Sequence, residues 1–511
     1  MQPDERSGDQ TADARPAAGS TGRAIAHRTV GYWVGTVVAL AGSLARGKIF
    51  AVALGTSGVG VLAQLANFAA LLTGLATLGL SGAGATLLGR ERANADAEPR
   101  RRIASTIIVA PIAASAVLMG AAAIWAGPLS KSLLGTPHHK AYIVIAAASV
   151  PANALTMSYQ VIMQGHERAW RTAWNSALAA VAMVAAVALL VVPFGLAGGV
   201  ASVAVTSVVA AVVVILRERW ITADAWPPRS AGRDVNRLLL RFGAASLIAG
   251  SATALVDLIL RSDVVTHLGT SANGLYQPVY LLGSLVFAQL GAGVVTALTP
   301  GISAAWAAAD HAAVRAQINS GVRLSLLAMV PLILLATAGR TFLVTAVFSG
   351  SFAAAAPVLA LALTAELPRC LTYAMGGFML PAGLIRTWVG LGLTAESIRL
   401  SLGLLLLRSG GIDVLAVVLV IEWTFMAAAT LVVAHRQGIR LERRLKVTIA
   451  ASTALVAAAY AATRTTFDQT IVDWALVLAA GSWVWICTTR AQRSWALRRI
   501  GSALASVIHR R

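Results

Sequence analysis

The sequence predicts an all-α, polytopic membrane protein of about fourteen transmembrane helices. Two six-helix lobes in pseudo-twofold parallel repeat are followed by two extra C-terminal helices. Three observations predict this. Of 511 residues, 57% are hydrophobic and only 12% are charged, whereas a soluble globular protein carries about 25% charged residues. The apolar residues gather in runs of about 18–25, near the ~20 a helix needs to cross ~30 Å of hydrocarbon. A short motif also recurs 214 residues downstream in the same topological setting. A soluble enzyme and a disordered chain are excluded. The net charge of +20 would suggest nucleic acid in a soluble protein. Here the basic residues occupy short loops between apolar runs, so topology accounts for them and no nucleic acid is expected as a partner.

The elements follow in order. Residues 1–28 mix Asp4, Glu5, Asp9 and Asp13 with Arg6, Arg15, Arg23 and Arg28. They read as a disordered cytoplasmic tail, not a signal peptide, because no short apolar region leads to a small-residue cleavage site. Spans 1–6 are expected at about 30–53, 59–80, 103–126, 141–163, 173–192 and 196–216, making an N-lobe of residues 29–220. A cytoplasmic linker takes 221–241. Spans 7–12, at about 242–261, 274–298, 322–338, 355–379, 387–407 and 412–434, make a C-lobe of 242–436. Spans 13 and 14, at about 447–463 and 472–488, lie within 437–489. In the tail at 490–511, Arg490, Arg493, Arg498, Arg499, Arg510 and Arg511 oppose Leu497, Ile500, Leu504 and Val507. This predicts a basic amphipathic helix on the inner leaflet. None of the spans shows the period-2 alternation of barrel strands.

The basic residues test the count independently. With both termini in the cytoplasm, 31 of the 41 Lys and Arg fall inside, five fall outside, and five lie within spans. The loops are short, which leaves no room for a catalytic domain beyond the bilayer.

The repeat is Leu54-Gly55-Thr56-Ser57 with Gly60, matched by Leu268-Gly269-Thr270-Ser271 with Gly274. Both copies follow a span that begins in the cytoplasm, and six spans separate them. The two halves are therefore expected to be related by an axis along the membrane normal.

Charge at membrane depth is costly and marks candidate sites. Spans 1–6 contain Arg46 and Lys48 and no acid. Two residues apart on a helix, these cations point roughly 200° apart, so one can bind an anion while the other snorkels. The C-lobe spans hold Asp257/Arg261, Glu366/Arg369 and Glu396/Arg399 at i, i+4 or i, i+3, each pair on one helix face. Glu422 has no arginine within four residues and is the expected titrating carboxylate. Asp257, Glu366, Glu396 and Glu422 are the candidate coupling or gating residues, and Arg46, Lys48, Arg261, Arg369 and Arg399 the candidate substrate-binding cations. Pro368 frees a carbonyl and bends span 10. Gln64 and Asn67, on one face of span 2, are candidate ligands for sugar hydroxyls. The tryptophans sit mostly near span ends, as in an interfacial belt, and Gly195/Gly199 reads as close helix packing. Cys370 and Cys487 frame no disulfide or metal knuckle. The chain has no P-loop, dinucleotide fingerprint or H-E-x-x-H, so no cofactor, metal or enzymatic activity is expected.

The stretch Leu44–Ala83, with its basic residue late in span 1, its LG-x-x-x-x-G turn (Leu54, Gly55, Gly60) and the Leu78-Gly79-Leu80 close of span 2, resembles the opening of bacterial polysaccharide flippases. These O-antigen and exopolysaccharide translocases belong to the multidrug/oligosaccharidyl-lipid/polysaccharide superfamily. The resemblance implies a V-shaped pair of lobes that opens alternately to each side. It also implies transport of undecaprenyl-diphosphate-linked oligosaccharide from inner to outer leaflet of the bacterial plasma membrane. Membrane lipids and a polysaccharide polymerase complex are the implied partners. The competing expectation is a multidrug or cation antiporter of the same superfamily. Such a protein is expected to carry acids in its N-lobe spans, and here there are none.

Overall fold

The structure is a computed structural model that describes residues 18–91, 98–166, 168–225, 233–287, 298–299 and 301–487. No strand occurs among them. The expected amphipathic tail lies outside the described residues. The first helix, α1 (Ala18–Ala76), already begins within the stretch read as a disordered tail.

Ten helices among the described residues are long and apolar enough to cross a membrane. Two hold apolar stretches of 40 and 48 residues, twice what one crossing needs. Each is broken by a glycine. α1 breaks at Gly55 (φ 64°, ψ −168°). After α2 (Leu80–Glu91), α3 (Glu98–Ile124), α4 (Ala126–Leu134), α5 (Lys140–Ala148) and α6 (Val150–Gly165), α7 (Ala169–Arg217) breaks at Gly195 (φ 53°, ψ −131°). The short α8 (Arg219–Ala225) leads to α9 (Arg233–Val279), which breaks at Gly269 (φ 86°, ψ 167°). A π-helix at Tyr280–Phe287 continues it. This backbone region is open in practice only to glycine, which is why the LGTS motif keeps glycine at both copies. Gly195 thus has a role beyond helix packing.

The second half repeats the first element by element. α3, α4, a 3₁₀ turn at Pro137–His139, α5 and α6 return in the same order. Their counterparts are α10 (His311–Ala338), α11 (Arg340–Val347), a 3₁₀ turn at Gly350–Ala355, α12 (Ala356–Thr364) and α13 (Glu366–Gly376). Then α14 (Ile385–Gly410) and α15 (Asp413–Arg436) meet at Gly411 (φ 62°, ψ −156°), the counterpart of Gly195. The expected loops near 126–140 and 339–354 are therefore largely helical. Spans 4 and 10 are each interrupted, at Ser149 and Ala365, the latter three residues before Pro368. Interrupted helices at matching positions of two halves are where transporter folds build their sites.

α16 (Arg443–Ala462) and α17 (Gln469–Cys487) pack on α10. At one end Arg340 pairs with Asp473 at 2.8 Å and donates to Gln469 Oε1 at 2.5 Å. At the other, Arg323 pairs with Glu442 at 3.2 Å. The outer surface is apolar: Ile124, Leu189, Leu405 and Ile486 are each more than 70% exposed, a pattern suited to hydrocarbon and not to water.

The two lobes touch backbone to backbone through the repeated motif. A Cβ on Gly60 would strike the carbonyl of Thr270, and a Cβ on Gly274 would strike that of Thr56. The contact is thus reciprocal, as in an isologous interface. Ser57 and Thr270 share a hydrogen bond at 2.7 Å, and Asn273 Nδ2 donates to the Gly60 carbonyl at 2.8 Å. At the opposite end, Leu78 and Gly79, both with positive φ, lie against the backbone of Gly243. The space between the lobes is pinched at both ends.

Candidate functional site

Two cavities flank the first half of span 8. The N-lobe cavity, about 360 Å³, has Arg46 on its wall, with Asn153, Ser202, Thr206 and Ser207 among its polar lining and Gln277 contributed by the C-lobe. No carboxylate lines it. Arg46 has no hydrogen-bond or ion-pair partner among the described residues. The Ser202, Thr206 and Ser207 hydroxyls donate to carbonyls of their own helix, so their oxygens remain as acceptors. Lys48 points elsewhere, as the helical angle requires. Its Nζ donates to the Thr345 carbonyl at 3.0 Å and ties span 1 to α11.

The C-lobe cavity, about 330 Å³, is lined by Asp257, Glu396, Arg399, Glu422 and Arg369 and by the aromatic rings of Tyr276, Tyr280, Tyr373, Trp388 and Trp423. Arg399 is its hub. It pairs with Glu396 at 3.2 Å, as the i, i+3 spacing predicts, and also with Asp257 and with Glu422 at 3.7 Å. Three carboxylates from three different helices therefore meet one guanidinium. Glu422, expected to be unpaired, has its partner across the helix interface, which sequence spacing does not reveal. Its Oε2 nevertheless makes no hydrogen bond, because 3.7 Å allows attraction but not donation. Glu366 and Arg369 form the predicted pair, with both carboxylate oxygens taken at 2.8 and 3.1 Å. The Arg369 guanidinium sits 4.6 Å from the Trp423 ring centroid.

The predicted Asp257/Arg261 pair is not made. The turn at Gly269 brings the start of span 8 back against Arg261, which is fully buried. There Arg261 donates to Gln277 Oε1 at 3.0 Å and Asn273 Oδ1 at 3.4 Å. Its guanidinium lies 5.0 and 4.7 Å from the rings of Tyr276 and Tyr280, a cation–π arrangement. Tyr276 and Tyr280 line the C-lobe cavity, while Gln277 and Leu281 line the N-lobe cavity. Arg261 thus touches the walls of both from behind.

Gln64 and Asn67 line neither cavity. Gln64 is buried and donates to the Leu258 carbonyl at 3.3 Å, so it joins the lobes. Trp388, one of the tryptophans near a span end, is a cavity wall. The tyrosines of span 8 and Trp423 went unread; the i, i+4 spacing of Tyr276/Tyr280 and the adjacency of Glu422 and Trp423 were the available signals. Among the described residues no group of three His, Cys, Asp or Glu is arranged to hold a metal ion.

A profile of the family described as "Polysaccharide biosynthesis protein" matches residues 49–357. No curated protein sequence matches the chain significantly. Among solved structures, the fold is similar to that of the lipid II flippase MurJ in an inward closed conformation. The TM-score is 0.66 at 11% identity, covering 92% of this chain and 99% of that one. It is also similar to an inward-facing multidrug resistance MATE family transporter of the MOP superfamily (TM-score 0.60, 15% identity, 81% and 96% covered). A third similar structure is a superfamily transporter from Pyrococcus furiosus, described by a binding pocket of reverse polarity (TM-score 0.58, 14% identity, 81% and 95% covered).

Proposed function

Because this chain belongs to the polysaccharide biosynthesis protein family, we propose that it flips an oligosaccharide carried on undecaprenyl diphosphate from the inner to the outer leaflet of a bacterial plasma membrane. Arg46 carries the reading. It is an unpartnered guanidinium on the wall of a cavity without a carboxylate, and a forked donor suits phosphate oxygens. The same cavity offers hydroxyl oxygens and the Asn153 amide to sugar hydroxyls. A diphosphate bears about two negative charges. A potential of 100 mV, negative inside, favours its outward passage by roughly 4–5 kcal/mol. Fourteen spans with both termini cytoplasmic put the basic loops on the side where the substrate is loaded.

Coupling belongs in this reading to the C-lobe. Asp257, Glu396 and Glu422 exceed Arg399 by two charges, and a monovalent cation, a proton included, offsets one of them. Arg261 relays its presence, since it contacts the walls of both cavities. The carboxylate surplus also favours a second reading, a multidrug or cation antiporter of the superfamily.

The test is surface polysaccharide restored to a deletion strain at matched membrane abundance. Arg46→Ala abolishes restoration, Arg46→Lys retains part of it, and Lys48→Ala is milder. Full restoration by Arg46→Ala removes the anionic-substrate argument. Drug efflux without glycolipid accumulation in the deletion strain selects the antiporter.

A further inference from the structure

Away from both cavities, a third of about 330 Å³ lies at the basic end of the N-lobe. Its walls include Arg100, Arg101, Ile162, His166, Arg168 and Trp220. Part of the wall is a fixed aromatic ring. The Trp220 indole N–H donates to Glu218 Oε2 at 2.7 Å. The other Glu218 oxygen accepts from Asn175 Nδ2 at 3.1 Å and pairs with Arg171 at 3.1 Å. The Glu218 side chain is 0% exposed, so the ring is anchored from inside the helix bundle. The Arg168 guanidinium lies over this ring, 4.7 Å from its centroid, and His166 meets the ring edge-on at 5.0 Å.

An arginine that only sets topology needs water and nothing more. Arg168 is placed instead. Held over the indole face at 4.7 Å, its guanidinium is kept in place, and the forked donors of a guanidinium grip phosphate oxygens in pairs. The Glu218 carboxylate is already engaged by Arg171, Asn175 and Trp220. No acid among the described residues pairs with Arg168 or Arg100. Basic pockets between helices on the cytoplasmic side are suited to anionic headgroups.

We propose that this cavity binds a phosphate group, borne by an anionic phospholipid or by a soluble phosphate compound, with Arg168 and Arg100 as donors and Trp220 as the platform that fixes Arg168. The site is separate from the cavities assigned to transport and does not rest on that assignment.

The experiment uses the purified full-length chain in neutral detergent. Thermal unfolding is titrated with cardiolipin, phosphatidylglycerol, phosphatidylcholine and inorganic phosphate, and retained lipid is read by native mass spectrometry. Anionic species raise the unfolding temperature and phosphatidylcholine does not. Their apparent affinity falls roughly five-fold for each arginine removed, about thirty-fold in R100Q/R168Q. R440Q/K446Q removes equal charge elsewhere on the basic end and changes it little. Arg168→Lys, which keeps charge but loses the fork, and Trp220→Phe, which keeps a ring but loses the N–H, fall between; they serve as the test if the double variant does not fold. A response to the lipids alone identifies a headgroup, and a matching response to inorganic phosphate identifies a soluble ligand. No response to any anion, or equal loss in both double variants, overturns the proposal.

Discussion

Arg399 holds three carboxylates and belongs to no one of them. Buried ion pairs add little net stability when intact, but removing one partner strands uncompensated charge. Arg399→Gln is therefore expected to cost about 3–5 kcal/mol, seen as a lowered unfolding temperature of the purified protein. Asp257→Asn in the same background should recover part of that loss, since one stranded charge goes with it. An Arg399→Gln variant as stable as the parent would mean that the four groups do not act as one cluster. Glu422→Gln is expected to insert normally and to transport with a weakened response to a protonophore; an unchanged response removes Glu422 from coupling. At this scale the sequence was partly legible. Arg46, Glu366/Arg369 and Glu396/Arg399 could be read because a helix fixes which residues share a face. The partners of Asp257, Arg261 and Glu422 could not be read, because each comes from a different helix and depends on how the chain returns after Gly269.

The LGTS segment shows how much an element can disclose when it is used twice. Its recurrence pointed to a parallel duplication, and the structure extends that to broken spans, interfacial helices and 3₁₀ turns in one shared order. α4 and α11 escaped sequence reading because a helix of eight or nine residues is too short for periodicity to separate from a loop. The seam itself makes a sharp prediction. Ser57 and Thr270 have their hydroxyl oxygens 2.7 Å apart, so Ser57→Cys/Thr270→Cys should crosslink on mild oxidation. Transport should stop while the bond is present and return with reductant. Unimpeded transport by the crosslinked protein would show that this seam never parts. Arg340→Ala is expected to loosen the appended helices by about 1.5–3 kcal/mol, read as earlier proteolysis between 437 and 469; an unchanged digestion pattern would assign no anchoring to its contacts with Asp473 and Gln469.

For the whole molecule, charge bias predicts the sides. Reporter fusions after Arg92 and Arg444 should read as cytoplasmic, and one near Gly350 as periplasmic; opposite readings at two of the three would break the fourteen-span arrangement. The reciprocal seam carries a consequence for ancestry. Gly60 rests on Thr270 as Gly274 rests on Thr56, and the residues on the two sides are of the same kinds. An edge of this sort fits a copy of itself. A half-length forerunner bearing one copy would have paired with its twin in the membrane, and fusion of the two genes would have made a lasting partnership of a chance meeting. The hypothesis has a present-day readout: the N-lobe expressed alone should form a two-copy species in which position 57 of one copy meets position 56 of the other, trapped by Thr56→Cys/Ser57→Cys and lost with Gly60→Val. A half-chain that stays single would mean that the edges came to match only after they were joined.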